Sequence, residues 1–186
     1  DVYKRQQQLA TAVLDKPTFE IFCGIPLKEL RADSLSELNL KGKGVGVPGA
    51  LVVAHFLRVS HSLTECDLRQ NKLGKEGWCA IFDALRDSPQ NKFIRWDLSY
   101  QSIDTEIAKS LAAYMAISRS LTGINLYDNN LGPEGGKAMA QGIRDSRSLT
   151  SIDLSRNRLG AEGGKSLGPA IAVSGSLTSI NLASNN

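Results

Sequence analysis

Cysteine and histidine are scarce in this chain: three cysteines and two histidines in 186 residues. Cys23, Cys66 and Cys79 form no C-x-x-C pair, so neither a disulfide framework nor a zinc site is expected. His55 and His61 have no serine, cysteine or carboxylate that spacing alone places beside them, so nucleophilic catalysis has no evident centre. No apolar run approaches the ~18 residues of a membrane helix, because Val45 to Leu57 is broken by Gly46, Pro48, Gly49 and His55. Leu9 to Leu14 is too short and mixed for a signal-peptide core, and no N-x-S/T acceptor occurs. A net charge of +3 gives no reason to expect nucleic acid or an anionic membrane as partner. These absences lead to the expectation of a cytoplasmic protein without cofactor or metal.

Leucine, by contrast, is abundant at 24 residues, and it is regularly placed. Six segments align: Leu35-Ser-Glu-Leu38-Asn-Leu40, Leu63-Thr-Glu-Cys66-Asp-Leu68, Phe93-Ile-Arg-Trp96-Asp-Leu98, Leu121-Thr-Gly-Ile124-Asn-Leu126, Leu149-Thr-Ser-Ile152-Asp-Leu154 and Leu177-Thr-Ser-Ile180-Asn-Leu182. Their first residues lie 28, 30, 28, 28 and 28 apart. A fixed period of this length marks a solenoid, in which each unit buries its apolar face by stacking on its neighbours.

Two periodicities alternate inside a unit. Ile152 and Leu154 share one face of an extended strand, and Asp153 points the other way. Helical stripes follow: Ala50, Val53, Phe56 and Leu57; Trp78, Ile81, Ala84 and Leu85; Ala108, Leu111, Tyr114 and Met115. Two more read Gly136, Met139, Gly142 and Ile143, then Gly164, Leu167, Ala170 and Ile171. Each repeat therefore reads strand, turn, helix, turn.

The pattern L-x-x-L-x-L-x-x-N-x-L at this period resembles the leucine-rich repeat, in its ribonuclease-inhibitor-like class, over Leu35 to Asn186. The resemblance implies an α/β solenoid, a curved horseshoe with parallel strands on the concave face and helices on the convex face. Its asparagine falls at Asn71, Asn129, Asn157 and Asn185, where an amide can bond backbone groups in the turn leaving the strand. Gln101 replaces it once, with the same amide on a longer arm. Lys43 stands there in the first repeat, which is therefore expected to turn differently.

Residues 1–34 do not obey the period. We read them as a flanking segment or degenerate repeat covering the first strand's edge, with a helix over Gln6 to Leu14 and a strand over Phe19 to Phe22. Asp1 to Gln6 resembles the translation of a transposase end used in preparing sequencing libraries; the alternative is an ordinary polar terminus. Residues 35–186 form the repeat array, five full repeats and a partial sixth. The last repeat stops at Asn185-Asn186 without a polar closing unit, which leads to the expectation of a fragment of a longer protein.

Gly160-Ala-Glu-Gly-Gly-Lys165-Ser166 has three residues between its first glycine and the Gly-Lys pair, where a phosphate-binding loop needs four. We read these glycines as turn and close-packing positions. The outward strand positions are more informative. One column reads Asn39, Asp67, Asp97, Asn125, Asp153, Asn181; it is either a ladder bonding neighbouring strands or part of a recognition surface. The next reads Lys41, Arg69, Ser99, Tyr127, Ser155, Ala183, and the strand exits Gly42, Gln70, Tyr100, Asp128, Arg156, Ser184.

Arg69, Arg95, Tyr100, Tyr127, Asp128 and Arg156 are the candidate partner-binding residues, since Arg and Tyr are enriched among interface hot spots. The bland alternative for each is a solvated side chain. Charges of both signs mix here, unlike a nucleic-acid stripe. We expect a monomeric, non-enzymatic module binding a protein through its concave face, over a standard interface of roughly 1,600 Å². Two alternatives stand beside it. One is a GTPase-activating regulator similar to the Ran GTPase-activating proteins, which a GTP hydrolysis assay would separate. The other is the sensing arm of a nucleotide-binding leucine-rich-repeat receptor.

Overall fold

The computed structural model describes residues 1–88 and 90–186. These fall into two compact units, 1–92 and 93–186. In the first, helix α1 (Val2–Leu14) precedes strands β1 (Ile21–Phe22) and β2 (Ile25–Pro26) and the short helix α2 (Leu27–Arg31). Then come strand β3 (Glu37–Asn39), helix α3 (Gly46–Val59), strand β4 (Glu65–Asp67) and helix α4 (Gly74–Arg86). The second unit repeats the alternation as β5 (Arg95–Asp97), α5 (Thr105–Ile117), β6 (Gly123–Asn125), α6 (Gly132–Asp145), β7 (Ser151–Asp153), α7 (Gly160–Val173) and β8 (Ser179–Asn181).

The repeat strands run parallel, in two sheets: β3–β4, and β5–β6–β7–β8 in that order. Their register equals the sequence period. Trp96 sits opposite Ile124, Ile124 opposite Ile152, and Ile152 opposite Ile180. Inward residues Leu38, Trp96, Ile124 and Ile152 are buried, as are Leu40, Leu68, Leu98, Leu126 and Leu154. The helical stripes read from the sequence are buried in full on α3, α4, α5 and α6. On α7 only Leu167 and Ala170 are; Gly164 is exposed and Ile171 half-buried. Helix α3 packs on α4 in the first unit, and α5 on α6 and α6 on α7 in the second.

Each strand leaves through a left-handed residue. Gly42, Gln70, Tyr100, Asp128, Arg156 and Ser184 have φ of 66°, 58°, 58°, 53°, 54° and 57°. The first repeat also has Gly44 at φ 69°, so with Lys43 in the asparagine position it does turn on glycines. Four of the five repeat helices open on a glycine with positive φ, Gly46, Gly74, Gly132 and Gly160. The fifth is capped by Asp104, whose carboxylate accepts from the Glu106 and Ile107 amides.

The flanking segment holds the helix expected over Gln6 to Leu14, begun earlier, and only the Ile21–Phe22 part of the expected strand. α1 starts at Val2, capped by the Asp1 carboxylate, so residues 2–6 lie inside a helix. Its Ala10 and Val13 are buried, and α1 packs on α3. Ile21–Phe22 pairs antiparallel with Ile25–Pro26, a two-residue hairpin, and among the described residues β3 pairs with β4 alone. The segment therefore does not cover the edge of β3 with a strand. Arg31 ties it together, donating to the carbonyls of Val13, Lys16, Pro17 and Phe19. No described helix is long and apolar enough to cross a membrane.

Candidate partner-binding face

Outward strand positions divide into a structural Asp/Asn column and a more variable one beside it. In all six repeats the Asp/Asn side chain accepts the amide two residues on: Asn39 from Lys41, Asp67 from Arg69, Asp97 from Ser99, Asn125 from Tyr127, Asp153 from Ser155 and Asn181 from Ala183. This Asx turn bends the chain out of the strand. Two asparagines also donate along the ladder, Asn125 to Asp97 at 3.1 Å and Asn181 to Asp153 at 3.0 Å. The column is a folding device.

The consensus asparagines act one step later. Asn129 Nδ2 donates to the carbonyls of Leu98, Leu126 and Tyr127, and its Oδ1 accepts from the Gln101 and Ile103 amides. Asn71, Asn157 and Asn185 donate to the corresponding carbonyls. Gln101 makes one bond of the set, to the Ser99 carbonyl at 2.9 Å.

Four of the six candidate residues come together at the exits of the second unit's strands. The rings of Tyr100 and Tyr127 meet edge to face, centroids 5.2 Å apart at 76°. The Arg156 guanidinium lies 5.5 Å from the Tyr127 centroid, and its Nη1 is 3.9 Å from Asp128 Oδ2. The edge-to-face pair contributes about 0.5–1.5 kcal/mol, the exposed cation–π contact about 0.5–1, and the long ion pair little. The group is thus held in place without being buried: Tyr100 is 65% exposed. A hydrogen bond with Tyr127 raises the Tyr100 hydroxyl above its ordinary range, slight desolvation and the charges of Tyr127 and Asp128 add to it, and Arg156 opposes it. At neutral pH the phenol is a donor.

The remaining two candidates stand apart from this cluster. Arg95 is exposed on β5, its stem crossing Gly123, where a Cβ would meet Arg95 Cγ at 3.3 Å. Arg69 belongs to the first unit and is clamped by Asp67, Nε to Oδ1 at 3.0 Å and Nη2 to Oδ2 at 2.7 Å. That hydrogen bonding holds the Asp67 carboxyl below its usual range.

His61, expected to lack an acidic neighbour, has its Nδ1 3.6 Å from Asp33 Oδ2. A connection of 28 residues through a helix brings them together, which motif spacing did not anticipate. His55 is exposed on α3, its pKa lowered by partial burial and Arg58. Cys66 sits in the leucine position of β4, and burial pushes its thiol up. Among the described residues no three histidines, cysteines or carboxylates cluster as a metal site. The Gly160–Ser166 stretch is the first turns of α7, and Gly163 meets Gly136 of α6 closely: a Cβ on Gly136 would lie 3.1 Å from Gly163 Cα. These glycines serve helix-to-helix contact.

Two polar columns escaped the sequence reading because serine and threonine are common anywhere. The first serine of each Ser-x-Ser-Leu turn accepts the leucine amide: Ser60 from Leu63, Ser118 from Leu121, Ser146 from Leu149 and Ser174 from Leu177. Thr64, Thr122, Thr150 and Thr178 each donate a hydroxyl to the carbonyl one repeat earlier. The 28-residue recurrence was the signal that could have found both.

Residues 118–140 and 145–168 match the family model described as Leucine Rich repeat. No curated protein sequence matches the chain. Among solved structures, the chain is similar to the tropomodulin C-terminal domain of Caenorhabditis elegans, at 17% identity and TM-score 0.53, over 95% of this chain and 84% of that one. It is also similar to a leiomodin-1 structure titled Actin-Binding Site 2, at 12% identity and TM-score 0.50, over 84% of this chain and 76% of that one. At these identities the likeness is one of fold, and it agrees with the repeats, the register and the asparagine turns. The chain carries leucine-rich repeats and has a leucine-rich-repeat fold.

Proposed function

We propose that the chain is a non-enzymatic protein-interaction module whose partner docks on the solvent face and exits of β5–β8. The observation that carries this is Tyr100, a large aromatic, 65% exposed, at a left-handed backbone position where the first repeat has glycine. A non-glycine residue there costs about 1–2 kcal/mol, a cost that Gln70, Asp128, Arg156 and Ser184 share; Tyr100 differs from them in being a large aromatic left exposed. Tyr127, itself flanked by Arg156, packs against it, so little ordering remains to oppose binding. Arg95 and Arg156 mix with Asp97 and Asp128 on the face, which favours a protein over nucleic acid. A full helix in each 28-residue repeat favours the ribonuclease-inhibitor-like class, and three free thiols favour a reducing, cytoplasmic setting. Actin is the first partner to test, because the leiomodin-1 neighbour is titled for an actin-binding site.

The experiment is co-sedimentation and monomer binding with actin, comparing the protein with Tyr100→Gly and with Tyr100→Ala/Tyr127→Ala. Binding that drops at least about tenfold in both variants, a loss of about 1.4 kcal/mol, supports the reading. Equal binding by folded variants removes this face from the interface. No actin binding by the parent protein removes actin as the partner. The face itself is then decided by photo-crosslinkers at position 100 and on the α7 surface: labelling from both alike rules the strand face out.

A further inference from the structure

The turn from α3 into β4 holds a carboxylate. Asp33 accepts from Ser60 Oγ at 2.5 Å, the His61 amide at 3.1 Å, the Ser62 amide at 3.4 Å and Ser62 Oγ at 2.8 Å. Two successive amides and the Ser60 hydroxyl thus converge on one anion, with the Ser62 hydroxyl shared between it and the Leu35 carbonyl, a nest built by the Ser-x-Ser-Leu sequence. Ser60 Oγ shapes it by accepting the Leu63 amide.

The turn from α7 into β8 has the same Ser-x-Ser-Leu pattern, Ser174-Gly175-Ser176-Leu177, and the same internal bond from the Leu177 amide to Ser174 Oγ. Asp33 lies 28 residues before His61; the residue 28 before Gly175 is Arg147. No acid fills this turn from within. Among the described residues the Gly175 and Ser176 amides donate to no acceptor, while the Ser176 hydroxyl donates to the Ser146 carbonyl at 3.4 Å, which leaves the two amides as the turn's open donors. They open, with Ser146, on a hollow of about 600 Å³ that Arg144, Asp145 and Arg147 also line.

Arg144 Nε donates to Asp145 at 3.1 Å, while Arg147 has no ion-pair partner among the described residues. Two cations against one carboxylate leave the hollow net positive. A Cβ on Gly175 would meet nothing within 4 Å, so the amides are approachable. The C-terminal end of α7 disfavours an anion, but α3 presents the same end to Asp33, where the donors outweigh it.

We propose that the Ser174–Ser176 turn, with Arg147 and Arg144, is an oxyanion site that takes a carboxylate or phosphoryl group from outside, in the place Asp33 takes in the first unit. It lies at the strand entrances, whereas Tyr100 and Tyr127 lie at the exits, so it stands independently of the face proposed above.

The test follows the amide resonances of Gly175 and Ser176 in the isotopically labelled chain on addition of inorganic phosphate, acetate or chloride at matched ionic strength. Saturable shifts with phosphate or acetate, absent with chloride and weakened several-fold in Arg147→Gln, support the site. An acetate response points to a carboxylate donor, and a phosphate-only response to a phosphoryl one. Arg147→Asp supplies an internal carboxylate, and its Gly175 and Ser176 amides are expected to move without added anion and then stop responding. Equal shifts with chloride, no shifts at all, or an unchanged titration in Arg147→Gln overturn the proposal; so does a folded Arg147→Asp whose two amides stay in place.

Discussion

Asn129 shows how much one side chain carries in this architecture. It is 4% exposed and serves three carbonyls and two amides, so Asn129→Ala strands several buried groups together. We expect urea unfolding to report a loss of about 3 kcal/mol or more. Asn185 makes a similar set but is half-buried, and water replaces its bonds; Asn185→Ala is expected to cost about 1 kcal/mol. Asp33 gives the pH dependence. Hydrogen bonds from Ser60, His61 and Ser62 hold its carboxyl well below the usual range. Its contribution is therefore fully present above the unfolded value of about 3.9 and is lost as pH falls toward the lower native one. Asp33→Asn is expected to be less stable than the parent at neutral pH, with the gap closing progressively below about pH 4 in denaturant titrations. A gap independent of pH would show that the charge of Asp33 is not what stabilises the turn.

Helix elements are limited by how closely they approach. A Cβ on Gly142 of α6 would lie 3.0 Å from the Ala112 backbone Cα and 3.1 Å from Met115 Cε. Gly142→Ala must push α6 off α5 and is expected to cost about 1–3 kcal/mol. Gly164 of α7 is exposed and a Cβ there meets nothing within 4 Å. Gly164→Ala is expected to raise stability by about 1 kcal/mol through helix propensity alone. Thermal unfolding of the pair, read side by side, checks that helix contact, not composition, selects these glycines. At the strand exit, Tyr100→Gly trades relief of about 1–2 kcal/mol of backbone strain against a lost aromatic contact and a more flexible unfolded chain. The net is expected within about 1 kcal/mol of zero, which makes it the clean variant for binding.

At the scale of the molecule, the one irregular interval in the repeat coincides with the division between units. The spacing from Leu63 to Phe93 is 30 where every other is 28, and the units divide at 92/93. Strand pairing follows it: β3–β4 form one sheet and β5–β8 another. Stability in such arrays is a sum of repeat and nearest-neighbour terms. Leu154 is fully buried, and Leu154→Ala is expected to cost about 2–5 kcal/mol. Hydrogen exchange should show faster opening in β6–β8 and α6–α7, with β3–β4 amides changed least. Uniform acceleration through all repeats would contradict nearest-neighbour coupling.

Period and alternation by themselves determined the parallel strands, the outer helices, the buried stripes and the asparagine turns, because each is a local rule applied at a fixed interval. Ile152 and Leu154 face inward on a strand whatever surrounds them, and Asn157 follows them into the turn. Other features lay outside the repeat motif. The hairpin over Ile21–Pro26 falls in the segment that does not obey the period, and Asp33, one period before His61, belongs to no repeat motif that would mark it as a partner. The outward columns looked alike in sequence, yet the structure made the Asp/Asn column a turn device and gathered Tyr100, Tyr127, Asp128 and Arg156 at one edge, with Arg69 tied to Asp67 elsewhere. Whether an outward side chain bonds within its own repeat, as Arg69 does to Asp67, or meets a neighbour one repeat away, as Tyr100 meets Tyr127, is decided by geometry that only the folded chain creates.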